Sequence, residues 1–279
     1  VSEPMYEVHH GLAAFGPQIL RIRERLEGKI LGWAEEIAAE PRLYPPLLRV
    51  DDLAMLDYFQ NFPHLAVVAS RIQPEVLKEQ YADGAAVESV PPEHLSPAQY
   101  VLPSAACYNI YLHLKGQVLQ GPRYITTVAT CFRNENHYQE LQRLWSFSMR
   151  EVVCIGSADE VQAHLGGFKE RILGLSEELG LNLDIQVATD PFYEPQSSRA
   201  IMQKVFPQKE EFVYSGSDGA VAIASLNFHR NFFGERCQIQ LADGSPAFTG
   251  CAAFGIERWY YALLDRFQQD ADAVLEALG

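Results

Sequence analysis

The sequence predicts an α+β fold: an antiparallel sheet flanked by helices. Three observations carry this. A long helical periodicity opens the chain, strand-like alternation dominates from residue 104 onward, and a second helical periodicity closes it.

Ile19, Leu20, Ile22, Leu26, Ile30, Leu31, Trp33 and Ile37 recur at 3.6-like spacing between charged residues, so the first helix is expected from about residue 18. Pro41 and the Pro45-Pro46 pair should stop it, and Leu47-Leu48-Arg49-Val50 should begin a strand. Residues 74–103 read as helix and loop, rich in turn residues. The stretches 108–114, 124–132 and 144–155 read as strands, as do 220–228 and 236–241. Between them, Ser157-Ala158-Asp159-Glu160 is a capping box opening a helix that should close near Gly180. The last helix is expected over roughly 255–278, with Trp259, Leu263, Phe267 and Leu275 on its apolar positions. No internal repeat or Gly/Ser linker divides the chain, so a single domain over 1–279 is expected.

The 279 residues carry 36 acidic and 22 basic side chains, a formal charge of −14. Phosphate contacts come from Lys and Arg, so this balance argues against a general polyanion binder while leaving room for a local basic site for one nucleotide. The five cysteines are odd in number and dispersed, with no CxxC pair. They read as free thiols of a reducing, cytoplasmic compartment rather than a disulfide framework. No secretory signal or run of about 18 apolar residues is present, so no membrane span is expected. Cys131, Cys154 and Cys237 read as packing residues, His9-His10 as a frayed tail and His137 as solvent-exposed.

Two segments carry chemistry. Thr130-Cys131-Phe132-Arg133-Asn134-Glu135 is followed by Arg143-Leu144-Trp145-Ser146-Phe147, and Phe254-Gly255-Ile256-Glu257-Arg258 comes near the end. They resemble motifs 2 and 3 of the class II aminoacyl-tRNA synthetases, over 124–155 and 245–275, with 18–48 compatible with the dimer-forming motif 1. The resemblance implies that Arg133 clamps the α-phosphate of ATP and the attacking carboxylate. It further implies that Glu135 accepts from the adenine amino group, Arg143 reaches the γ-phosphate, and Phe147 and Arg258 sandwich the adenine. Arg133 and Arg258 are the catalytic candidates, since Arg is permanently charged, fork-shaped and able to stack. Gln238 and Gln240 are candidate neighbours of Mg²⁺ or pyrophosphate, and Gln240 is carried as an ATP-binding candidate. Whether Glu235 supplies a Mg²⁺ ligand stays open.

A narrower resemblance covers nearly the whole chain. Leu102-Pro103-Ser104-Ala105-Ala106-Cys107-Tyr108, Ser146-Phe147-Ser148-Met149-Arg150-Glu151 and Phe248-Thr249-Gly250-Cys251 are similar to segments of the amino acid:[carrier protein] ligases, truncated relatives of the archaeal, zinc-dependent seryl-tRNA synthetases. Asn61-Phe62-Pro63-His64, Thr189-Asp190-Pro191-Phe192 and the 227–234 stretch extend the similarity. It implies Zn²⁺ held by Cys107, Glu151 and Cys251, and makes Lys204 and Asn227 substrate-pocket candidates. Two thiolates and a carboxylate suit zinc, and three protein ligands leave a fourth position, here for the substrate's α-amino group. A buried small hydrophobe is the competing reading for each cysteine.

The implied reaction is ATP-dependent activation of glycine or alanine, then transfer to the phosphopantetheine thiol of a carrier protein. Zn²⁺ and Mg²⁺ are the implied metals and a homodimer the implied assembly. tRNA is not expected as a partner, because no tRNA-reading module is visible. A minimal synthetase that still charges tRNA and a noncatalytic paralogue acting as a binding subunit are the alternatives.

Overall fold

A computed structural model describes residues 4–81, 87–197, 201, 203 and 208–279. A hairpin of β1 (Tyr6–His9) and β2 (Leu12–Phe15) leads into α1 (Pro17–Glu36), whose buried face is Ile19, Ile22, Leu26, Ile30 and Ala34. Next comes β3 (Glu40–Pro41), followed by the short elements β4 (Leu48–Arg49), α2 (Val50–Met55), α3 (Tyr58–Asn61), β5 (Val67–Ala69), α4 (Pro74–Tyr81), β6 (Tyr100–Leu102), α5 (Tyr108–His113) and β7 (Val118–Leu119). The main hairpin is β8 (Arg123–Phe132) and β9 (Ser146–Gly156), followed by α6 (Ala158–Leu179) and the strands β10 (Asp184–Ala188), β11 (Lys209–Gly216) and β12 (Gly219–Arg230). The chain closes with α7 (Phe232–Cys237), β13 (Gln240–Leu241), β14 (Phe248–Gly255), α8 (Ile256–Arg266) and α9 (Ala271–Leu278).

The central sheet has the order β10-β11-β12-β14-β9-β8-β3. All its pairs are antiparallel except the edge pair β3–β8. Side chains alternate across it with period two, so each strand serves two layers. Val152, Ala252 and Phe254 join one core with α1, α6, α8 and α9. Val153, Ile155, Cys251 and Ala253 join the other, with Tyr58, Ile110, Tyr111 and Phe233. Glu151 and Phe147 share the parity of Val153, which puts them on the second face. Helix α6 starts where expected: Ser157 Oγ accepts from Glu160 N at 3.3 Å and the Glu160 carboxylate accepts from Ser157 N at 2.8 Å. It ends at Gly180, whose φ of +64° is left-handed backbone that glycine takes without strain.

The structure corrects five expectations. Helix α1 stops at Glu36, ahead of the prolines: Ala38 takes φ +53° and Ala39 N donates back to Ala34 O at 2.8 Å, so a left-handed turn terminates it. The 108–114 stretch is the helix α5. Its buried Ile110, Tyr111 and Leu114 fit helical spacing, which a seven-residue alternation could not distinguish from a strand. In 236–241 only Gln240–Leu241 is strand, because α7 runs to Cys237 and Gln238 turns at φ +54°. The terminal helix is two helices, broken where Gln268 and Gln269 take positive φ and Asp270 Oδ1 caps α9 by accepting from Asp272 N and Ala273 N. His9-His10 belongs to the β1–β2 hairpin, which is tied down by Trp145 N donating to Gly11 O at 2.8 Å. No helix among the described residues is long and apolar enough to cross a membrane.

Candidate active site

Hairpin β8–β9, strand β14 and the start of α8 converge on a cleft walled by Arg133, Glu135, Arg143, Phe147 and Arg258, five of the residues singled out in the sequence. Arg133 follows the end of β8. Its Nε and Nη2 donate to Ser104 O at 3.3 and 3.2 Å, and its guanidinium carbon stands 5.1 Å from the centre of the Phe147 ring. Arg258 donates from Nε to Gln142 O at 2.9 Å and from Nη1 to Ala222 O at 3.0 Å. Burial, aided by the Arg133 and Arg143 charges, lowers its pKa to about 10, which still leaves it charged at neutral pH. Glu135 and Arg143, expected to act on opposite ends of a nucleotide, form an ion pair with each other at 2.7 Å. Beside Arg258, the buried Glu257 accepts from Ser148 N at 2.8 and 2.9 Å, pinning the start of α8 to β9. Burial raises its pKa.

A second cavity, of about 560 Å³, adjoins this cleft, and Arg133, Met149, Lys209, Ser225 and Ala253 line both. Cys107, Glu151 and Cys251 form part of its wall. Glu151 faces Ala253 across β9–β14, one step from Cys251 on the same sheet face, and Cys107 arrives from the N-terminal end of α5. One ligand atom from each of the three lies within 4.8 Å of the others, and all three residues are buried. Among the described residues this is the one such group.

Glu151 Oε1 accepts from Ala106 N at 2.8 Å and Cys107 N at 3.2 Å, while its buried Oε2 has no hydrogen-bond partner among the described residues. The neighbouring Cys251 thiol, burial and the Glu151 charge together push the Cys107 thiol well above its usual range. For Cys251 the hydrogen bond with Cys107 is the largest influence and acts downward. Burial and Glu151 outweigh it and push the thiol up to about 11. Three acidic groups packed together, with an orphaned carboxylate oxygen, are a poor structural cluster and a good ligand set for a divalent cation of zinc's ligand preference.

Asn227 lines the same cavity and donates from Nδ2 to Cys251 Sγ at 3.4 Å. Lys204 lies outside the described residues. Gln240 sits on β13, paired parallel with β7, and walls neither cavity; nor does Gln238. The strand beside β14 in the central sheet is β12, and β13 lies in a separate two-stranded sheet with β7. Glu235 lies in the wall of the larger cavity, where its Oε1 accepts from Asn231 Nδ2 at 2.7 Å.

Sequence reasoning missed Lys209, whose ammonium lies 3.0 Å from Glu211 and 3.6 Å from Asp190 at the junction of the two cavities. The apolar run Phe212-Val213-Tyr214 was the available signal for its strand. It also missed the aromatic walls, Tyr58, Phe62, Tyr108 and Phe192, with Phe62 and Phe192 stacked at 5.2 Å. These come from segments far apart in sequence.

No protein-family model matches the chain. It is 32% identical over 262 residues to amino acid–[acyl-carrier-protein] ligase 1 of Bradyrhizobium diazoefficiens, covering 90% of this chain and 78% of that protein. It is 34% identical over 252 residues to ligase 2 of the same organism, covering 85% and 73%. Among solved structures it superposes on M. kandleri SerRS, determined with A. aeolicus tRNASec, at a TM-score of 0.82 and 23% identity. That match covers 97% of this chain and 57% of the synthetase, and it shows the class II synthetase fold.

Proposed function

The chain belongs to the family of amino acid–[acyl-carrier-protein] ligases, and from that premise we propose its reaction in full. ATP and a small amino acid, glycine or alanine, form an aminoacyl-adenylate, and the acyl group then passes to the phosphopantetheine thiol of a carrier protein. The observation that supports this is the shared wall: the nucleotide cleft and the cavity with the Cys-Glu-Cys cluster meet at Arg133 and Lys209.

Zinc held by Cys107, Glu151 and Cys251 would supply a position for the substrate's α-amino group. Mg²⁺ would accompany the ATP phosphates. In the first step a carboxylate oxygen attacks the α-phosphorus and pyrophosphate leaves. Arg133, at the junction and braced by Ser104 O, neutralises charge building on the phosphorus. Phe147 and Arg258 hold the adenine between them. Glu135 accepts from the adenine amino group and Arg143 meets the γ-phosphate, which requires their mutual ion pair to part as ATP enters. In the second step the thiolate attacks the adenylate carbonyl and AMP leaves, a reaction governed by positioning. Asn227, and Lys204 by resemblance, complete the substrate pocket.

A homodimer through the α1 region is part of the proposal, and Leu20, half exposed on that helix, is one apolar residue such a contact would cover. Five free thiols suit the reducing cytoplasm. Incubation with ATP, zinc, an amino-acid panel and phosphopantetheinylated carrier tests the reaction by intact mass. One aminoacyl increment on the carrier with glycine or alanine is expected; no increment with any amino acid overturns the proposal. Amino-acid-dependent ATP–pyrophosphate exchange separates this enzyme from a noncatalytic paralogue, and a tRNA-charging assay separates it from a minimal synthetase.

A further inference from the structure

Strand β12 departs from regular pairing with β14 between Phe228 and Arg230: Phe228 faces Gly250 and Arg230 faces Thr249, leaving His229 as the extra residue of a bulge. Bulges bend a strand and re-aim a side chain. Here the bulge sits two residues beyond Asn227, which lies directly across from Cys251. Both side chains reach the same sulfur. Asn227 Nδ2 donates to Cys251 Sγ at 3.4 Å, and His229 Nε2 lies 3.8 Å from it.

The far side of the imidazole is also engaged. His229 Nδ1 lies 3.3 Å from the Tyr111 hydroxyl and 3.2 Å from the Thr249 hydroxyl. Tyr111 is fully buried and stacked on Phe233, ring centres 3.9 Å apart and 15° from parallel, so its hydroxyl has a fixed position. A thiolate accepts hydrogen bonds and cannot donate one. With Cys251 as thiolate, the ring therefore carries its proton on Nε2, and the Nδ1 lone pair accepts from one of the two hydroxyls. Among the described residues no side-chain N–H donates to Cys107 Sγ, so the two sulfurs differ. His229 is not itself in the set whose ligand atoms lie within 4.8 Å of one another.

We propose that His229, together with Asn227, is a positioning residue for the Cys251 thiolate, with Tyr111 and Thr249 fixing the tautomer that donates to sulfur. This rests on the reading of Cys107, Glu151 and Cys251 as metal ligands. The two N–H groups aim the sulfur and draw charge from it, as outer-shell partners of a metal ligand do. Cys251 is then the weaker electron donor of the two thiolates, which leaves the metal more receptive to the substrate's amine.

The test uses the full chain and metal binding rather than turnover. Zinc affinity is measured by competition with a chromophoric chelator. Cobalt(II) substitution reads the thiolate-to-metal charge-transfer band, and near-UV circular dichroism checks each fold. His229→Phe is expected to weaken zinc binding about 10–100-fold and to shift the band. His229→Gln, which keeps an N–H, should recover much of the loss, and Tyr111→Phe should shift the band less, in the same direction. Wild-type affinity and spectrum in a folded His229→Phe overturn the proposal. So does complete loss of binding in that variant, which would make His229 a ligand. If His229→Phe does not fold, Tyr111→Phe decides, and an unchanged band overturns the proposal. Cys251→Ala separates the levels. Metal lost there but unaffected by His229→Phe removes this inference alone, whereas a wild type that binds no metal removes the ligand reading with it.

Discussion

Glu151 accepts from two backbone amides and, in the proposed site, also holds the metal; two substitutions distinguish these roles. Its Oε1 accepts from the buried amides of Ala106 and Cys107, while Oε2 is buried without a hydrogen-bond partner among the described residues. Glu151→Ala strands both amides, at about 1–3 kcal/mol each. The adjoining cavity of about 560 Å³ lets water reach them, so the lower end, about 2 kcal/mol in total, is expected. In a chain of 279 residues that lowers Tm by roughly 3–4 °C. Glu151→Gln keeps the accepting oxygen and should lose less than about 1 kcal/mol, within the range of a single hydrogen-bond change. Both variants remove the carboxylate charge, so with Glu151 as a proposed ligand both should lose zinc affinity by more than the ~10–100-fold typical of an outer-shell partner. Differential scanning calorimetry of the metal-free proteins and chelator competition give the two readouts. A Glu151→Gln protein that holds zinc as tightly as wild type would refute the ligand assignment. An Ala variant as stable as wild type would refute the role given to the two amides.

Further outcomes follow from the same geometry. Cys251, at about 11, and Cys107, pushed well above its usual range, are both protonated at neutral pH without metal, so each must release a proton on binding. Zinc affinity should therefore rise with pH from about 6 to 8, and binding heats should depend on the buffer's ionisation enthalpy; equal heats in all buffers contradict this. His164, buried between Tyr124 and Phe168, donates to Val152 O at 3.1 Å, and burial lowers its pKa to about 4. Its contribution is complete above its unfolded value and is lost as pH falls from about 6.5 toward 4. About 2 kcal/mol should be gone by pH 5, a slope that His164→Gln should flatten in urea titrations. Glu27 joins α1 to β9 through Arg150 Nε at 2.8 Å and also accepts from Arg23 Nε at 2.7 Å. Glu27→Ala leaves the Arg150 side chain, 9% exposed, with Thr126 Oγ1 as its remaining side-chain partner among the described residues, and should destabilise by about 3 kcal/mol in denaturant titration.

The parts of the fold legible in the sequence are those where local signals agree. Ser157 and Glu160 cap α6 and Gly180 ends it, and the 124–132 and 144–155 alternations are β8 and β9. The misread parts are short or conditional on context. A seven-residue alternation at 108–114 is compatible with helix or strand until its burial is known, and α5 buries Ile110, Tyr111 and Leu114 together. The break at 267–270 depends on Gln268 and Gln269 taking left-handed backbone, which their residue type does not announce. Strand order likewise cannot be counted along the chain: β13 pairs with β7, and β12 stands beside β14.

By itself the sequence determined the residue types and their order: Arg133, Glu135, Arg143 and Phe147 on one hairpin, Arg258 at a strand-to-helix junction, and two cysteines and a glutamate spread over 145 positions. Only the tertiary structure brought Cys107, Glu151 and Cys251 within 4.8 Å, joined that cluster at Lys209 to the cleft walled by Arg133 and Arg258, and turned His229 toward the Cys251 sulfur. The reason is physical. Which face of a strand a residue occupies follows from period-two alternation along the chain, whereas which strands are neighbours, and where a bulge resets the alternation, depends on how the whole sheet pairs.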